Sequence, residues 1–348
     1  MVISLAMNDR PLLTIAIPSF NRCRELSLLL GQIRNQFDAY RKDLEVIVSD
    51  NCSSDETSSV VSSFIEDGLP IRYFRNEVNV GSGANVVRCF ELAVGRYVLI
   101  VGDDDLLLDG ALSRIISVLK ESDIGLLYLN AYPFLHDYRD ERPASFRSYD
   151  LVRYQDPSAF LGRVSINLSF LSSVVVNKSL VPIEFDCSRF SSSYLPQLNW
   201  IFYILFRCSS HAVLNQFVIA GRANNSGGYG VCQVFGTNLR GIIDSFVQDG
   251  IPEEIFEPLH ASMIKSFFPK HLLDLRTSRH DFADERFHRE LCPLYGDRLD
   301  YWVFLYPILR LPSGLAKIWF FGLRCFNGMN NVIRLMRERF TGILRRRG

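Results

Sequence analysis

Residues 97–105 are Tyr97-Val98-Leu99-Ile100-Val101-Gly102-Asp103-Asp104-Asp105, an apolar run that ends in a glycine and three consecutive carboxylates. The apolar part predicts a buried β-strand, and the acidic residues then lie at its carboxyl end. Adjacent carboxylates repel one another, and the repulsion lowers stability unless a cation offsets it. Because hard oxygen ligands suit Mg²⁺ or Mn²⁺, Asp103, Asp104 and Asp105 are predicted to bind a divalent metal. The alternative interpretation is a polar turn without a metal.

Strand-like and helix-like segments alternate around this strand. Strands are predicted over residues 12–17, 45–49, 71–74, 97–101 and 125–129, and helices over 22–37, 53–66, 84–93 and 109–120. Ser53 with Glu56 predicts a capping box at the start of the second helix, and Asp109 predicts the N-cap of the fourth. This order predicts an α/β fold with a mostly parallel sheet and helices on both faces.

The ends of the predicted strands indicate where a ligand binds, because α/β sheets bind ligands beyond the carboxyl ends of their strands. This rule selects four segments, residues 18–22, 50–55, 79–83 and 102–105. Asp50 carries a carboxylate that can accept hydrogen bonds from a nucleobase or a ribose, and the segment 81–83 can cradle a phosphate. Taken one at a time, these segments are more typical of ordinary turns. Their occurrence together is what favours a binding site.

The alternation ends near residue 132, and a polar loop over 136–149 follows. Farther along, the sequence predicts a strand over 170–177, a buried helix over 195–207 and a loop rich in glycine and asparagine over 221–230. We therefore predict one domain over residues 11–230, with halves 11–130 and 131–230, and a mainly helical C-terminal region over 231–348.

The C-terminal region combines apolar and basic residues. Residues 318–323 are apolar apart from Gly322, and six arginines lie among apolar residues between Arg334 and Arg347. This pattern suits a helix lying on an anionic membrane, or a last helix packed on the body with a solvated basic face. No apolar run reaches the roughly 18 residues of a spanning helix. Residues 1–9 lack the pattern of a signal peptide, so we expect a protein that stays in the cytoplasm.

The overall composition is balanced in charge. Lys plus Arg and Asp plus Glu both number 38, which gives a formal net charge of zero and does not favour nucleic acid as a partner. The eight cysteines are scattered, without a CxxC pair or a histidine at metal-ligand spacing. They predict neither a zinc site nor a disulfide framework, as expected in a reducing cytoplasm.

Four motifs occur in an order that is typical of one known family. They are Thr14-Ile15-Ala16-Ile17-Pro18-Ser19-Phe20-Asn21-Arg22, Val46-Ile47-Val48-Ser49-Asp50-Asn51-Cys52-Ser53-Ser54-Asp55, Asn79-Val80-Gly81 with Asn85, and Ala93-Val94-Gly95-Arg96-Tyr97 leading into Gly102-Asp103-Asp104-Asp105. Over about residues 11–130 the sequence resembles glycosyltransferase family 2, the inverting enzymes of the GT-A fold.

The resemblance implies a nucleotide-sugar site in residues 11–130 and an acceptor site in residues 131–230. It assigns the donor nucleotide to a set of residues drawn from all four motifs: Pro18, Ser19, Asn21, Arg22, Asp50, Gly81, Asn85 and Asp103. Asp50 would contact the base, and Asp104, with Asp103 or Asp105, would hold Mn²⁺ or Mg²⁺ at the diphosphate. Ser49 stands where many members carry another Asp, which leaves the preferred base open.

Residues 131–230 are similar to family members that build bacterial O-antigens and capsules, notably abequosyltransferase-like enzymes. The similarity lies in residues 170–176 and in Arg222 with Asn225. It implies a nucleotide-diphosphate sugar donor, a lipid-linked glycan acceptor and a peripheral location on the cytoplasmic face of the inner membrane. Arg222 is predicted to clamp a phosphate of the donor or the acceptor; a solvated loop arginine is the alternative.

An inverting transfer needs a base that takes the proton of the acceptor hydroxyl, while a metal stabilises the leaving diphosphate. Many family members use a Glu-Asp pair, which the region around Tyr194, Gln197, Asn199 and Trp200 lacks. Asp186 is therefore the predicted base, with Glu184 as the alternative.

Two other functions remain open at this point. The missing acidic pair favours a catalytically silent partner in polysaccharide assembly. A sugar-phosphate nucleotidyltransferase also binds nucleotides on a parallel sheet, but it would open with a glycine-rich loop carrying Arg and Lys, where this sequence has Pro18-Ser19-Phe20-Asn21.

Overall fold

The structure of the protein, a computed structural model, describes residues 10–144, 151–223, 230–277 and 284–325. Its contacts divide the chain into two compact units, Met1–Phe256 and Glu257–Gly348. Residues 231–256, which the sequence analysis assigned to the C-terminal region, are part of the first unit. The division into a donor half and an acceptor half remains a prediction.

The first unit is built on one nine-stranded sheet. Its strands are β1 (Leu13–Ser19), β2 (Leu44–Asp50), β3 (Ile71–Arg75), β4 (Tyr97–Ile100), β5 (Leu106–Leu107), β6 (Leu126–Phe134), β7 (Leu151–Tyr154), β8 (Val174–Asn177) and β9 (His211–Arg222). Their order across the sheet is β3-β2-β1-β4-β8-β6-β9-β5, and β7 pairs with β9. The first four are mutually parallel, β8 runs antiparallel to both of its neighbours, and β9 is parallel to β6. The predicted α/β class is confirmed.

Helices cover both faces of the sheet, as predicted. In the first unit they are α1 (Cys23–Phe37), α2 (Thr57–Glu66), α3 (Ser82–Leu92), α4 (Ala111–Glu121), α5 (Pro157–Val164), α6 (Gln197–Leu205) and α7 (Leu239–Gln248). Leu26, Leu30 and Ile33 of α1 share one apolar cluster with Ile15 and other residues of β1, because residues at helical spacing and alternate strand residues face each other. On the other face α3 contacts β1, β2 and β4, and its Phe90 stacks on Trp200 of α6 with ring centroids 4.3 Å apart.

Three predictions about where segments begin were wrong. Ser53 does not cap α2; its backbone N–H instead donates to Asp50, and α2 begins at Thr57, whose N–H donates to Asp55. Asp109 does not cap α4, which begins after Gly110 in the left-handed conformation (φ 78°). The strand predicted over 170–177 is shorter, because residues Leu171–Ser173 form a 3₁₀ turn before β8. The Ser53 hydroxyl accepts a hydrogen bond of 2.9 Å from the backbone N–H of Asn21, a contact between distant segments that outweighs the local capping signal.

The second unit is helical in its described part. It contains α8 (Glu257–Ser262), α9 (Phe268–Thr277), α10 (Asp284–Tyr295), α11 (Tyr306–Arg310) and a further helix, α12, over residues 313–325. The Arg298 guanidinium forms two hydrogen bonds to Glu257, of 2.6 and 2.7 Å, and pairs with Asp300. Within the described ranges, no helix is both long and apolar enough to cross a membrane. The basic segment 334–347 lies outside them.

Candidate active site

A cavity of about 530 Å³ lies at the carboxyl ends of β1, β2 and β4. All four segments selected from the sequence contribute to its surface, because they follow neighbouring strands of the parallel part of the sheet. The first wall consists of Pro18, Ser19, Phe20, Arg22, Asn51, Asn79, Gly81, Ser82, Gly83, Asn85 and Val86. The acidic turn supplies Gly102, Asp103 and Asp104, and a second wall consists of Ser169, Leu171, Tyr194, Pro196 and Gln197.

Asp103 and Asp104 are buried and border the cavity. Asp103 accepts hydrogen bonds from the Ser19 hydroxyl at 2.8 Å and from Arg22 Nη1 at 3.0 Å, and the same Arg22 nitrogen lies 3.1 Å from Asp104. Burial raises the pKa of Asp103 to about 6, although Arg22 and Ser19 favour its ionised form. The two carboxylates thus share one surface of the cavity with the Arg22 guanidinium beside them.

Asp105 points away from the cavity. Its Oδ2 accepts a hydrogen bond from the Ser172 hydroxyl, and its Oδ1 accepts one of 2.9 Å from the backbone N–H of Arg222. Burial raises the pKa of Asp105 to about 7. Since the Ser172 hydroxyl oxygen also accepts from the backbone N–H of Gly102, Asp105 fastens the acidic turn to two later segments of the chain.

Asn21 and Asp50 lie behind the cavity surface. Asp50 is fully buried, and its carboxylate accepts hydrogen bonds from the Ser53 backbone N–H at 2.8 Å and the Tyr73 hydroxyl at 2.5 Å. Asn21, with a positive φ of 53°, accepts from the backbone N–H of Ser54 at 2.7 Å. Both residues therefore tie loops 18–22 and 50–55 in place, and neither lines the cavity.

The amino end of α3 forms part of the first wall. Gly81 precedes the helix with φ 86° and ψ 159°, a conformation that only glycine adopts readily. At Gly83, a Cβ atom would overlap the backbone carbonyl of Ser191. The lack of a side chain at Gly83 therefore allows residues 188–194 to approach the helix. Asn85 lines the cavity and donates to the backbone carbonyl of Ser49 at 2.9 Å.

The second wall presents few ionisable groups. Tyr194 is half-exposed and holds a positive φ of 62°, which is unusual for an aromatic residue and had no signal in the sequence. Gln197 donates to the backbone carbonyl of Ser169 at 2.6 Å. Among the described residues that line the cavity, the only carboxylates are those of Asp103 and Asp104.

Two residues predicted from the sequence lie elsewhere. Asp186 is exposed and borders a separate cavity together with Glu184. Hydrogen bonds from the Ser188 hydroxyl and N–H hold the pKa of Asp186 below its usual range. The guanidinium of Arg222 lies 4.8 Å from the centroid of the Phe134 ring, outside the cavity lining. Asn225, which shares the sequence similarity with Arg222, lies outside the described residues.

The comparisons with known proteins match these observations. The profile described as glycosyl transferase family 2 matches residues 14–172. Abequosyltransferase RfbV of Salmonella typhimurium is 31% identical over 229 residues, which cover 62% of this chain and 68% of that protein. The chain belongs to glycosyltransferase family 2. The resemblance seen in the sequence, including that to abequosyltransferase-like enzymes, is confirmed, and membership supports a glycosyltransferase activity.

Further relatives of this family 2 chain add detail. A Campylobacter jejuni enzyme named GalNAc(5)-diNAcBac-PP-undecaprenol beta-1,3-glucosyltransferase is 40% identical over 112 residues, 32% of this chain and 35% of its own. Staphylococcus aureus TarS 1–349 in complex with UDP superposes with a TM-score of 0.61 at 17% identity, over 88% of this chain and 87% of that one. The mannosyltransferase PcManGT of Pyrobaculum calidifontis, solved with GDP-Man and Mn²⁺, gives a TM-score of 0.50 at 16% identity, covering 89% and 88%. These two structures confirm the GT-A fold.

Proposed function

We propose that this family 2 enzyme transfers a sugar from a nucleotide-diphosphate donor to a lipid-linked glycan acceptor, with inversion, during synthesis of a bacterial surface polysaccharide. The observation that carries the proposal is the buried pair Asp103 and Asp104 on the wall of a cavity that all four family motifs enclose. The names of two relatives, an abequosyltransferase and a PP-undecaprenol glucosyltransferase, support this substrate class.

The first wall suits the donor nucleotide. Pro18, Ser19, Arg22, Gly81 and Asn85 border the space beside the acidic pair. We propose that the diphosphate lies near the amino end of α3, where backbone N–H groups and the helix dipole favour an anion. Asn21 and Asp50 act by holding the loops that shape this wall.

Asp103 and Asp104 fit a divalent metal. Mg²⁺ and Mn²⁺ are commonly bound through one or two carboxylates and complete their shells with water and substrate phosphates. Asp105 would not take part, since its two oxygens are bonded to Ser172 and Arg222. Among the described residues, no three Asp, Glu, His or Cys side chains lie close enough together to hold a metal by themselves. This agrees with a site that also needs oxygen atoms of the donor. When bound, the metal would offset the charge of the departing diphosphate.

Asp186 acts as the base in this proposal only if the 182–189 turn moves, because in the structure it borders a different cavity. The absence of a carboxylate on the described second wall also favours one competing function, a silent family member that binds the donor without transfer. Donor binding with no hydrolysis or transfer over a panel of acceptors would establish that alternative.

We also propose a peripheral site on the cytoplasmic face of the inner membrane. On α12 the exposed fractions of Leu315, Ile318, Trp319 and Phe321 are 54, 69, 41 and 57%, and basic side chains at Lys317 and Arg324 accompany them. An apolar face with a tryptophan and flanking cations suits the headgroup region of an anionic bilayer. Such a location would suit an enzyme whose acceptor is lipid-linked.

Calorimetric titration with UDP, CDP, GDP and dTDP tests the donor assignment, each with Mn²⁺ and again with excess chelator. We expect one nucleotide to bind, and its affinity to fall at least roughly tenfold, or 1.4 kcal/mol, without the metal. Asp104→Asn should lose the part of the nucleotide affinity that depends on the metal. Full metal-dependent binding and turnover in Asp104→Asn would refute the metal assignment, and no binding of any nucleotide would refute the donor site.

A further inference from the structure

A second cavity, of about 310 Å³, lies in the first unit and shares no lining residue with the cavity beside Asp103. One side is formed by α6 and the residues that follow it, with Asn199, Tyr203 and Arg207 at a spacing of four residues and therefore on one face. The other sides are formed by the turn 184–189 and by residues 246–251. None of the family motifs contributes to it.

The walls of this second cavity are aromatic and well fixed. The rings of Phe185 and Tyr203 pack edge to face with centroids 4.7 Å apart, and the Arg207 guanidinium lies 3.9 Å from the Tyr203 ring centroid. Asn199 is buried and donates to the backbone carbonyl of Asp186 at 2.8 Å, which joins the helix to the turn. Phe246 is also buried. These contacts hold the turn against α6 in the structure.

The polar groups of this cavity fall into two sets. Arg189 and Asp249 neutralise each other through a salt bridge of 2.6 Å. Glu184 and Arg207 also border the cavity, and neither takes part in an ion pair within the described residues. Three carboxylates, those of Glu184, Asp186 and Asp249, outnumber the two guanidiniums. This excess of negative charge disfavours phosphate and nucleotides.

We infer that the second cavity binds a neutral sugar unit. The Arg207 guanidinium covers one face of the Tyr203 ring, so the rest of that ring and the Phe185 ring would meet the C–H side of a sugar. The carboxylate of Glu184 can accept hydrogen bonds from the sugar's hydroxyls, and the guanidinium of Arg207 can donate to them. At about 310 Å³ this cavity is at the small end of ligand sites. A hydrogen-bond acceptor, a hydrogen-bond donor and aromatic rings, without an excess of positive charge, favour a neutral sugar over an anion.

The position relative to the first cavity suggests which sugar it is. Gln197 lines the first cavity, and Asn199 and Tyr203 line the second, so α6 borders both cavities on different faces. An oligosaccharide acceptor at the first cavity would therefore lie beside the helix that forms one side of the second. Resting on the proposed function, the sugar would be a unit of the acceptor glycan that lies away from the reacting end.

Ligand-observed NMR of the full chain with methyl glycosides of glucose, galactose, mannose and N-acetylglucosamine tests the inference. At least one should bind, and binding should weaken by roughly tenfold or more in Tyr203→Ala and Glu184→Gln. Glu184→Gln changes only an exposed side chain, so it keeps the test valid even if Tyr203→Ala misfolds. Ile183→Ala, at a 98% exposed neighbour outside the lining, is the matched control and should bind as the wild type does.

Saturating UDP with Mn²⁺ separates this inference from the proposed function. Glycoside binding that persists with UDP present, and UDP binding that is unchanged in Glu184→Gln, would support an independent sugar site. If none of UDP, CDP, GDP and dTDP binds while glycosides still do, the proposed donor site fails and the sugar site stands. Displacement of the glycoside by UDP, equal binding in both variants, or no binding of any glycoside would each overturn the inference.

Discussion

The Nη1 atom of Arg22 lies 3.0 Å from Oδ1 of Asp103, and the same nitrogen is 3.1 Å from Oδ2 of Asp104. One guanidinium nitrogen thus bridges two buried carboxylates that belong to a different motif, 81 residues away for Asp103. It supplies positive charge where the proposed metal would also supply it, so Arg22 and a divalent cation should partly replace each other.

Arg22→Met should therefore change the response of the protein to metal. In the presence of chelator, we expect the variant to lose roughly 1 kcal/mol of unfolding free energy, since solvent weakens a pair whose arginine is 38% exposed. Added Mn²⁺ should raise the melting temperature of the variant more than that of the wild type. Differential scanning calorimetry measures both, with Arg24→Gln, an exposed arginine on α1, as the control. An equal Mn²⁺ effect in both proteins would contradict the shared role.

Asp105→Ala should act on stability. The substitution leaves the Arg222 N–H and the Ser172 hydroxyl without their acceptor, which we expect to cost about 2 kcal/mol in urea unfolding. Asp105→Asn should lose less, because its side-chain oxygen still accepts one hydrogen bond. Metal-dependent nucleotide affinity should stay within about threefold of the wild type in Asp105→Asn. A loss of metal binding as large as that of Asp104→Asn would show that Asp105 is a ligand.

The same Gly→Ala substitution should have opposite effects in two helices. At Gly83 of α3 the new methyl overlaps the Ser191 backbone, so we expect a loss of about 1–3 kcal/mol and weaker nucleotide binding. At Gly31 of α1 nothing lies within 4 Å of the new atom, and alanine's helix preference should stabilise by about 0.5–1 kcal/mol. Chemical denaturation of the two variants checks the signs. If Gly83→Ala left the free energy of unfolding unchanged, residues 188–194 would be able to move away from α3 at little energetic cost.

Negative charge introduced on the apolar side of α12 should weaken membrane attachment. The double substitution Ile318→Asp with Phe321→Asp places two carboxylates on its exposed apolar side. We expect sedimentation with vesicles of phosphatidylglycerol and phosphatidylethanolamine to fall at least roughly tenfold, or 1.4 kcal/mol. Leu28→Asp, a comparably exposed leucine on α1, should bind like the wild type. Equal binding of all three proteins would remove α12 from the membrane contact.

The second unit should lose stability in acid through Glu257. Hydrogen bonds from Arg298 lower the pKa of Glu257 in the folded state. A depressed carboxyl pKa contributes stability that is present above the unfolded pKa, about 4.3, and is lost as the pH falls through the folded value. Urea unfolding of the wild type and Glu257→Gln should therefore differ at pH 7 and converge toward pH 3. A difference as large at pH 3 as at pH 7 would assign the effect to something other than this ionisation.

The sequence predicted the part of the fold that is encoded in local periodicity. Strands β1 to β4 and their helices lie within a few residues of the predicted bounds, because apolar residues repeat at strand or helix spacing there. The approach of the four motif segments followed from the parallel sheet alone. Family membership was also readable, since it rests on motifs in a fixed order.

The parts that could not be predicted depend on contacts between distant residues. Nothing local marks Asp105 as the member of the acidic triplet that turns inward, since its partners are Ser172 and Arg222. The positive φ of Tyr194 and the close approach at Gly83 have the same origin. The second cavity could not be predicted, because its charged residues are spread over three segments with no common motif.

The placement of β8 has a consequence for how the enzyme is made. Residues 174–177 pair between β4 and β6, both of which leave the ribosome earlier. A nascent chain that ends before residue 172 would expose β4 as an open sheet edge, and its acidic turn would lack Ser172 and Arg222. The acidic turn therefore reaches its final form late in translation, after residues 174–177 have been inserted between β4 and β6.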